Sequence, residues 1–107
     1  MPKFLLVAET TPHAGREGDF NKWYEGTHIP ELLKMPGVKS AERFKLSLTM
    51  AGAKPMHPYI TIYEVETDDL QKTLGAFGTT KLTQSDSFDA SKAEMSIYQA
   101  VGKKVTG

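Results

Sequence analysis

Two hydrophobic periodicities alternate along this chain and divide it into strands and helices. Residues 3–9, Lys-Phe-Leu-Leu-Val-Ala-Glu, are apolar in both alternation sets, Phe4/Leu6/Ala8 and Leu5/Val7. Such a strand wants cover on both faces. Residues 10–15, with Pro12 and Gly15, form a turn. A helix is expected from near Arg16 to Thr27 or His28, with Glu17 and Asp19 at the positive end of its dipole. Pro30 disfavours helical backbone at Ile29. It suits the first turn of a second short helix over 30–35, closed by Met35-Pro36-Gly37. A second strand covers about 38–48, and residues 49–58, with Gly52, Pro55 and Pro58, form a loop. Residues 58–65 are rich in β-branched and aromatic side chains and read as a third strand. Thr67-Asp68-Asp69 caps a helix that places Leu70, Leu74 and Phe77 on one face. Residues 78–92 are rich in Ser, Thr and Asp, with at most one helical turn around Lys81, and a fourth strand covers about 94–101.

The order β-α-β-β-α-β is the split βαβ, or ferredoxin-like, arrangement of the α+β class. Two helices then cover one face of a four-stranded antiparallel sheet and leave the other bare. Strand one is apolar on both sides. Strand three offers Ile60/Ile62 on one side and Tyr59/Tyr63/Val65 on the other. An uncovered apolar sheet face calls for a partner. The expectation is a two-fold homodimer with its sheets face to face.

Composition narrows the function. At 107 residues the chain is expected to be one domain, residues 1–107. Lys+Arg and Asp+Glu both number 13, without the basic excess of a nucleic-acid binder. Cysteine is absent, which removes disulfides, thiolate zinc sites and a cysteine nucleophile. The apolar run at residues 4–8 is too short to span a membrane and has no charged leader. The expected location is the cytoplasm. No glycine-rich phosphate loop and no Gly-x-Ser-x-Gly elbow occurs.

The chemistry concentrates in Phe20-Asn-Lys-Trp-Tyr-Glu-Gly-Thr-His28-Ile-Pro30. On a helix, Phe20, Tyr24 and His28 form an i, i+4, i+8 row, with Trp23 beside it. Imidazole titrates near neutrality and can take and return a proton at pH 7. A helix C-terminus favours its protonated form, and burial beside Trp23 opposes that. The alternative is a helix-capping ring that bonds a free carbonyl. Strand direction puts His13 and His57 at one end of the sheet and His28 at the other. Three histidines on one metal are therefore not expected, and no His-x-His spacing occurs.

The run Phe20-x-x-Trp-Tyr-x-x-x-His28-x-Pro30, with Met35-Pro36-Gly37-Val38 and Arg43-Phe44, resembles the EthD-like branch of the dimeric α/β-barrel superfamily. The resemblance implies a homodimer whose two sheets form a barrel, and it favours a functional role for His28. Relatives in that superfamily include cofactor-free monooxygenases, haem-degrading enzymes, muconolactone isomerases and polyketide cyclases. The fold names a menu of activities and not one reaction.

The leading expectation is a cofactor-free acid/base enzyme of isomerase, cyclase or lyase type. Its substrate would be a small hydrophobic or aromatic, oxygen-bearing intermediate. His28 would be the base or acid, with Tyr24 beside it. Trp23 would form a pocket wall, and Tyr63 would donate to a developing oxyanion. Arg43 could fork onto a substrate carboxylate, while His57 is a further candidate contact. Glu42 and Arg43 are neighbours on a strand and must face opposite sides; the sequence does not say which faces the pocket. The rival expectations are a non-catalytic accessory protein that binds a metabolite, and a haem- or quinone-type monooxygenase.

Overall fold

Alternation along β1 (Lys3–Thr10) sorts its side chains between two faces. Phe4, Leu6, Ala8 and Thr10 are buried, while Leu5, Val7 and Glu9 are half-buried. In β3 (Tyr59–Glu66) the buried set is Tyr59, Thr61, Tyr63 and Val65. Antiparallel pairing sets Leu6 opposite Tyr63 and Phe4 opposite Val65, so both buried sets share one face. The computed structural model, which covers residues 1–107, joins these strands to β2 (Val38–Lys45) and β4 (Glu94–Gln99). The sheet order is β2-β3-β1-β4, with every pairing antiparallel. This is the ferredoxin-like α+β arrangement read from the sequence.

The segment between β1 and β2 departs from expectation. The chain runs through α1 (Glu17–Trp23), a π-helical turn (Tyr24–His28) and α2 (Ile29–Leu33) without a break. Ile29 has helical backbone angles, φ −60° and ψ −47°, and its N–H bonds the carbonyl of Tyr24 five residues back. Pro30 therefore does not end the helix. It sits in the first turn of α2, where its missing N–H costs little, and the widened turn before it gives its ring room. His28 accordingly lies inside a continuous helical path and not at a helix C-terminus.

Gly37 links α2 to β2 and has no substitute. Its φ is +88°, and a Cβ there would stand 3.1 Å from the Glu66 carbonyl oxygen. The Glu66 N–H in turn donates to the Gly37 carbonyl at 2.9 Å. β2 begins with a bulge between Val38 and Ser40 and ends at Lys45, three residues before the expected limit. α3 (Leu70–Thr79) is capped by Asp69, whose side chain accepts from the Lys72 N–H. No helical turn forms at Lys81; a single 3₁₀ turn falls later, at Ala90–Lys92.

The core lies between the sheet and the helices in two clusters. One joins Phe4, Leu6, Ala8, Val38, Tyr63 and Val65 to Leu32 and Met35. The other is aromatic: Phe20, Tyr24 and Tyr59, flanked by Trp23, Ile29 and Phe88. The opposite sheet face has no cover. Its apolar positions, Leu5, Val7, Phe44, Ile60, Ile62 and Tyr98, are half-buried or exposed. The radius of gyration is 14.9 Å, against about 13 Å for a compact chain of this length. No helix is long and apolar enough to cross a membrane.

Candidate functional site

Five residues at about 100° each set Trp23 and His28 some 140° apart on an ordinary α-helix. The π turn removes that offset. The two rings stack with centroids 4.6 Å apart and planes at 23°. Trp23 also stacks against Phe88, at 5.4 Å and 22°, and Tyr24 meets His28 edge-on at 4.9 Å. π turns inside helices are frequent at functional sites, and this one brings an imidazole and an indole together.

Both rings face a cavity of about 250 Å³ between the sheet and the helices. Its floor is Leu6, Ala8 and Thr10 of β1 with Tyr63 of β3. The helical segment supplies Trp23, Tyr24, His28 and Leu32, and α3 supplies Phe77. Leu82, Thr83, Gln84 and Phe88 close the roof, and Ala93 and the exposed Met95 stand at the edge strand β4. The roof is fastened by one residue. Thr83 donates from its N–H and its hydroxyl to the Glu31 carboxylate, at 2.9 and 2.6 Å. Its carbonyl accepts from Trp23 Nε1 at 3.3 Å.

The polar groups in this wall are few and incompletely paired. His28 Nδ1 is buried with no hydrogen-bond partner, and so is the hydroxyl of Thr10. Burial holds the His28 pKa below the ordinary histidine value, against a weaker upward pull from the Glu31 carboxylate. The ring is thus neutral at pH 7. The capping alternative does not apply, because the helix continues and Nδ1 bonds no carbonyl. The Tyr63 hydroxyl donates to the Tyr24 hydroxyl at 3.3 Å. Burial, then the neighbouring Tyr24, pushes the Tyr63 pKa far upward, so it remains an O–H donor. Tyr24 accepts that bond and keeps its own proton free to donate.

Two expected contacts stand apart from the cavity. Arg43 faces the helices, and Glu42 faces the bare side opposite Ile62. Yet Arg43 lies behind Tyr24, with its guanidinium carbon 4.5 Å from that ring's centroid and 5.2 and 5.4 Å from those of Tyr59 and Phe20. Its fork donates to Asn21 Oδ1 at 2.8 Å and Glu25 Oε2 at 3.1 Å. Those bonds hold its fork against Asn21 and Glu25, while its Nε is buried without a partner. His57 is buried elsewhere: Nδ1 lies 2.8 Å from Thr11 Oγ1 and Nε2 3.0 Å from Glu94 Oε2. It ties the approach to β3 to the ends of β1 and β4. No cluster of three or more His, Cys, Asp or Glu side chains could hold a metal ion.

Sequence reasoning missed the roof. Leu82 and Phe88 are the only large apolar residues between 79 and 92, and that contrast was the available signal. Thr10 carried none.

No family model matches the chain, and no curated protein matches it either. Among solved structures, it is similar to a crystal structure of an ethyl tert-butyl ether (EthD) family protein from Bacillus halodurans C-125. The match has a TM-score of 0.60 and 16% identity, over 98% of this chain and 100% of that one. At that identity the likeness concerns the fold: the chain has an EthD-like fold.

Proposed function

We propose that the cavity binds a small hydrophobic, oxygen-bearing molecule and that His28 moves a proton on it. The observation that carries this reading is a neutral imidazole, unpartnered at Nδ1, in an apolar wall beside a tyrosine pair. A neutral imidazole can abstract a proton from carbon next to a carbonyl. Tyr24 would then donate its free proton toward the developing oxyanion, and Tyr63 would hold Tyr24 in place. Return of the proton from His28 to another carbon of the conjugated enolate gives isomerisation; attack of the enolate carbon on a second carbonyl carbon of the same molecule, whose oxygen then takes that proton, gives cyclisation. Trp23 forms one wall and fixes the plane of the imidazole. A cavity of about 250 Å³ suits one substituted ring, since about 150 Å³ accommodates benzene; a four-ring macrocycle exceeds it.

A second reading has its own support. Acid–base histidines are oriented by a third group, and Nδ1 of His28 has none. That favours a binding protein that carries its guest unchanged.

The test is α-proton exchange in D₂O, followed by NMR with cyclohexanone and δ-valerolactone as probes. A proton-transfer site accelerates deuteration, and His28→Gln lowers that rate about 10²- to 10⁴-fold. Binding of the probes without exchange supports the carrier. Exchange unaffected by His28→Gln removes His28 from the mechanism. We also propose that two copies pair through their bare sheet faces.

A further inference from the structure

We propose that the guest is uncharged, about one ring in size, and bound through a single acceptor oxygen, as in a cyclic ketone, lactone or quinone. This rests on the reading of the cavity as a binding site, and it narrows what that site accepts. None of the fifteen lining residues is Asp, Glu, Lys or Arg. Two formal charges in contact with lining residues are turned to other work: Arg43 to Asn21 and Glu25, and Glu31 to Thr83. A carboxylate brought into the cavity would lose its hydration and meet no counter-charge. An ammonium group would fare the same, because burial of an unpaired ion is strongly unfavourable. The acid-anchoring role expected for Arg43 is thereby replaced by recognition of a neutral oxygen.

The hydroxyl donors left over can serve such an oxygen. Tyr24 has a proton without a protein acceptor, because its one bond is accepted from Tyr63. The Thr10 hydroxyl, on a residue 6% exposed, is buried and unpartnered. A carbonyl oxygen can accept from either of these donors. The rest of the wall, from Leu6 and Leu32 to Phe77 and Phe88, is mostly apolar, with His28, Thr83 and Gln84 as its other polar members.

Trp23 is the single tryptophan of the chain and lines the cavity, so selectively excited tryptophan fluorescence reports on this site alone. The probes are cyclohexanone, cyclohexanecarboxylate and methylenecyclohexane, which share a ring and differ in charge and oxygen. At pH 7.5 cyclohexanone is expected to perturb Trp23 saturably, with the carboxylate at least tenfold weaker. Tyr24→Phe should weaken the ketone about five- to tenfold, the worth of one net hydrogen bond, and leave methylenecyclohexane within twofold. Tyr63→Phe, which keeps the donor, should weaken the ketone less. A carboxylate within tenfold of the ketone, or equal losses for ketone and hydrocarbon in Tyr24→Phe, overturns the neutral-guest proposal and spares the binding site. Absence of any response to all three probes overturns the binding site itself.

Discussion

His28 turns its burial into a pH dependence. Its pKa in the folded chain lies below the ordinary 6.5 because desolvation penalises the charged ring. Below pH 6.5 the unfolded chain therefore binds a proton that the folded chain refuses. The stability from this group is complete above pH 6.5, declines as pH falls toward the folded pKa, and is lost once below it. The displaced carboxylates, Glu17, Glu31, Asp86 and Asp89, have ordinary values of 4.5 or 3.8 and act at lower pH. Urea midpoints between pH 7.5 and 5 should fall more steeply for wild type than for His28→Gln, and parallel slopes would contradict a buried neutral ring. Trp23, Tyr24 and His28 were legible in the sequence, because they stand close together in one helical run. The destination of Arg43 was not. Strand alternation restricts it to one of two faces, but only the packed rings of Phe20, Tyr24 and Tyr59 decide that its charge lies against them.

At the scale of elements, the π turn is the feature that sequence periodicity misjudged. A fixed 100° per residue leaves Trp23 beside the Phe20–Tyr24–His28 row and not stacked on its last ring, and Pro30 reads as a terminator. Tertiary packing overrides both, because the widened turn brings two rings into contact and accommodates the proline. If packing fixes the turn, glycine flexibility at Gly26 is dispensable. Gly26 has open space where a Cβ would project and no positive φ. Gly26→Ala should therefore stabilise the protein by about 0.5–1 kcal/mol, through a less flexible unfolded chain. Gly37→Ala is the contrasting case. Its φ of +88° and the Glu66 oxygen 3.1 Å from the new Cβ should cost about 1–2 kcal/mol from the left-handed backbone alone. Thermal or urea unfolding of the two variants checks both signs, and a destabilising Gly26→Ala would mean that the turn depends on glycine. The roof over 80–89 was illegible for a different reason. A polar loop is placed by its anchors, and the Glu31–Thr83 bonds join residues 52 positions apart.

Across the whole molecule the element order and the antiparallel sheet were legible, since period-2 and period-3.6 patterns alternate with clear turn residues between them. What covers the second sheet face was legible only as a need. That need is visible in the structure: Leu5, Val7, Ile60 and Ile62 lie on a face that no helix touches, and Phe44 and Tyr98 are 41% and 58% exposed on it. Leu48, Met50, Met56, Val101 and Val105, on the segments flanking the sheet, are more exposed still. A pairing of two such faces would bury apolar surface on the scale of a standard interface, about 1,600 Å² in total. The proposed dimer therefore predicts a sedimenting mass of twice 11.8 kDa and a melting temperature that rises with protein concentration. Ile62→Lys separates folding from pairing. Ile62 stands opposite Glu42 on β2, so the new ammonium gains a cross-strand carboxylate within its own chain. In the pair it would be buried at the centre of an apolar interface and disfavour association strongly. The variant should remain folded by circular dichroism, sediment at 11.8 kDa and lose the concentration dependence of its melting. A wild-type chain that sediments as a monomer at 100 µM would show instead that this face is left to water or to a different partner.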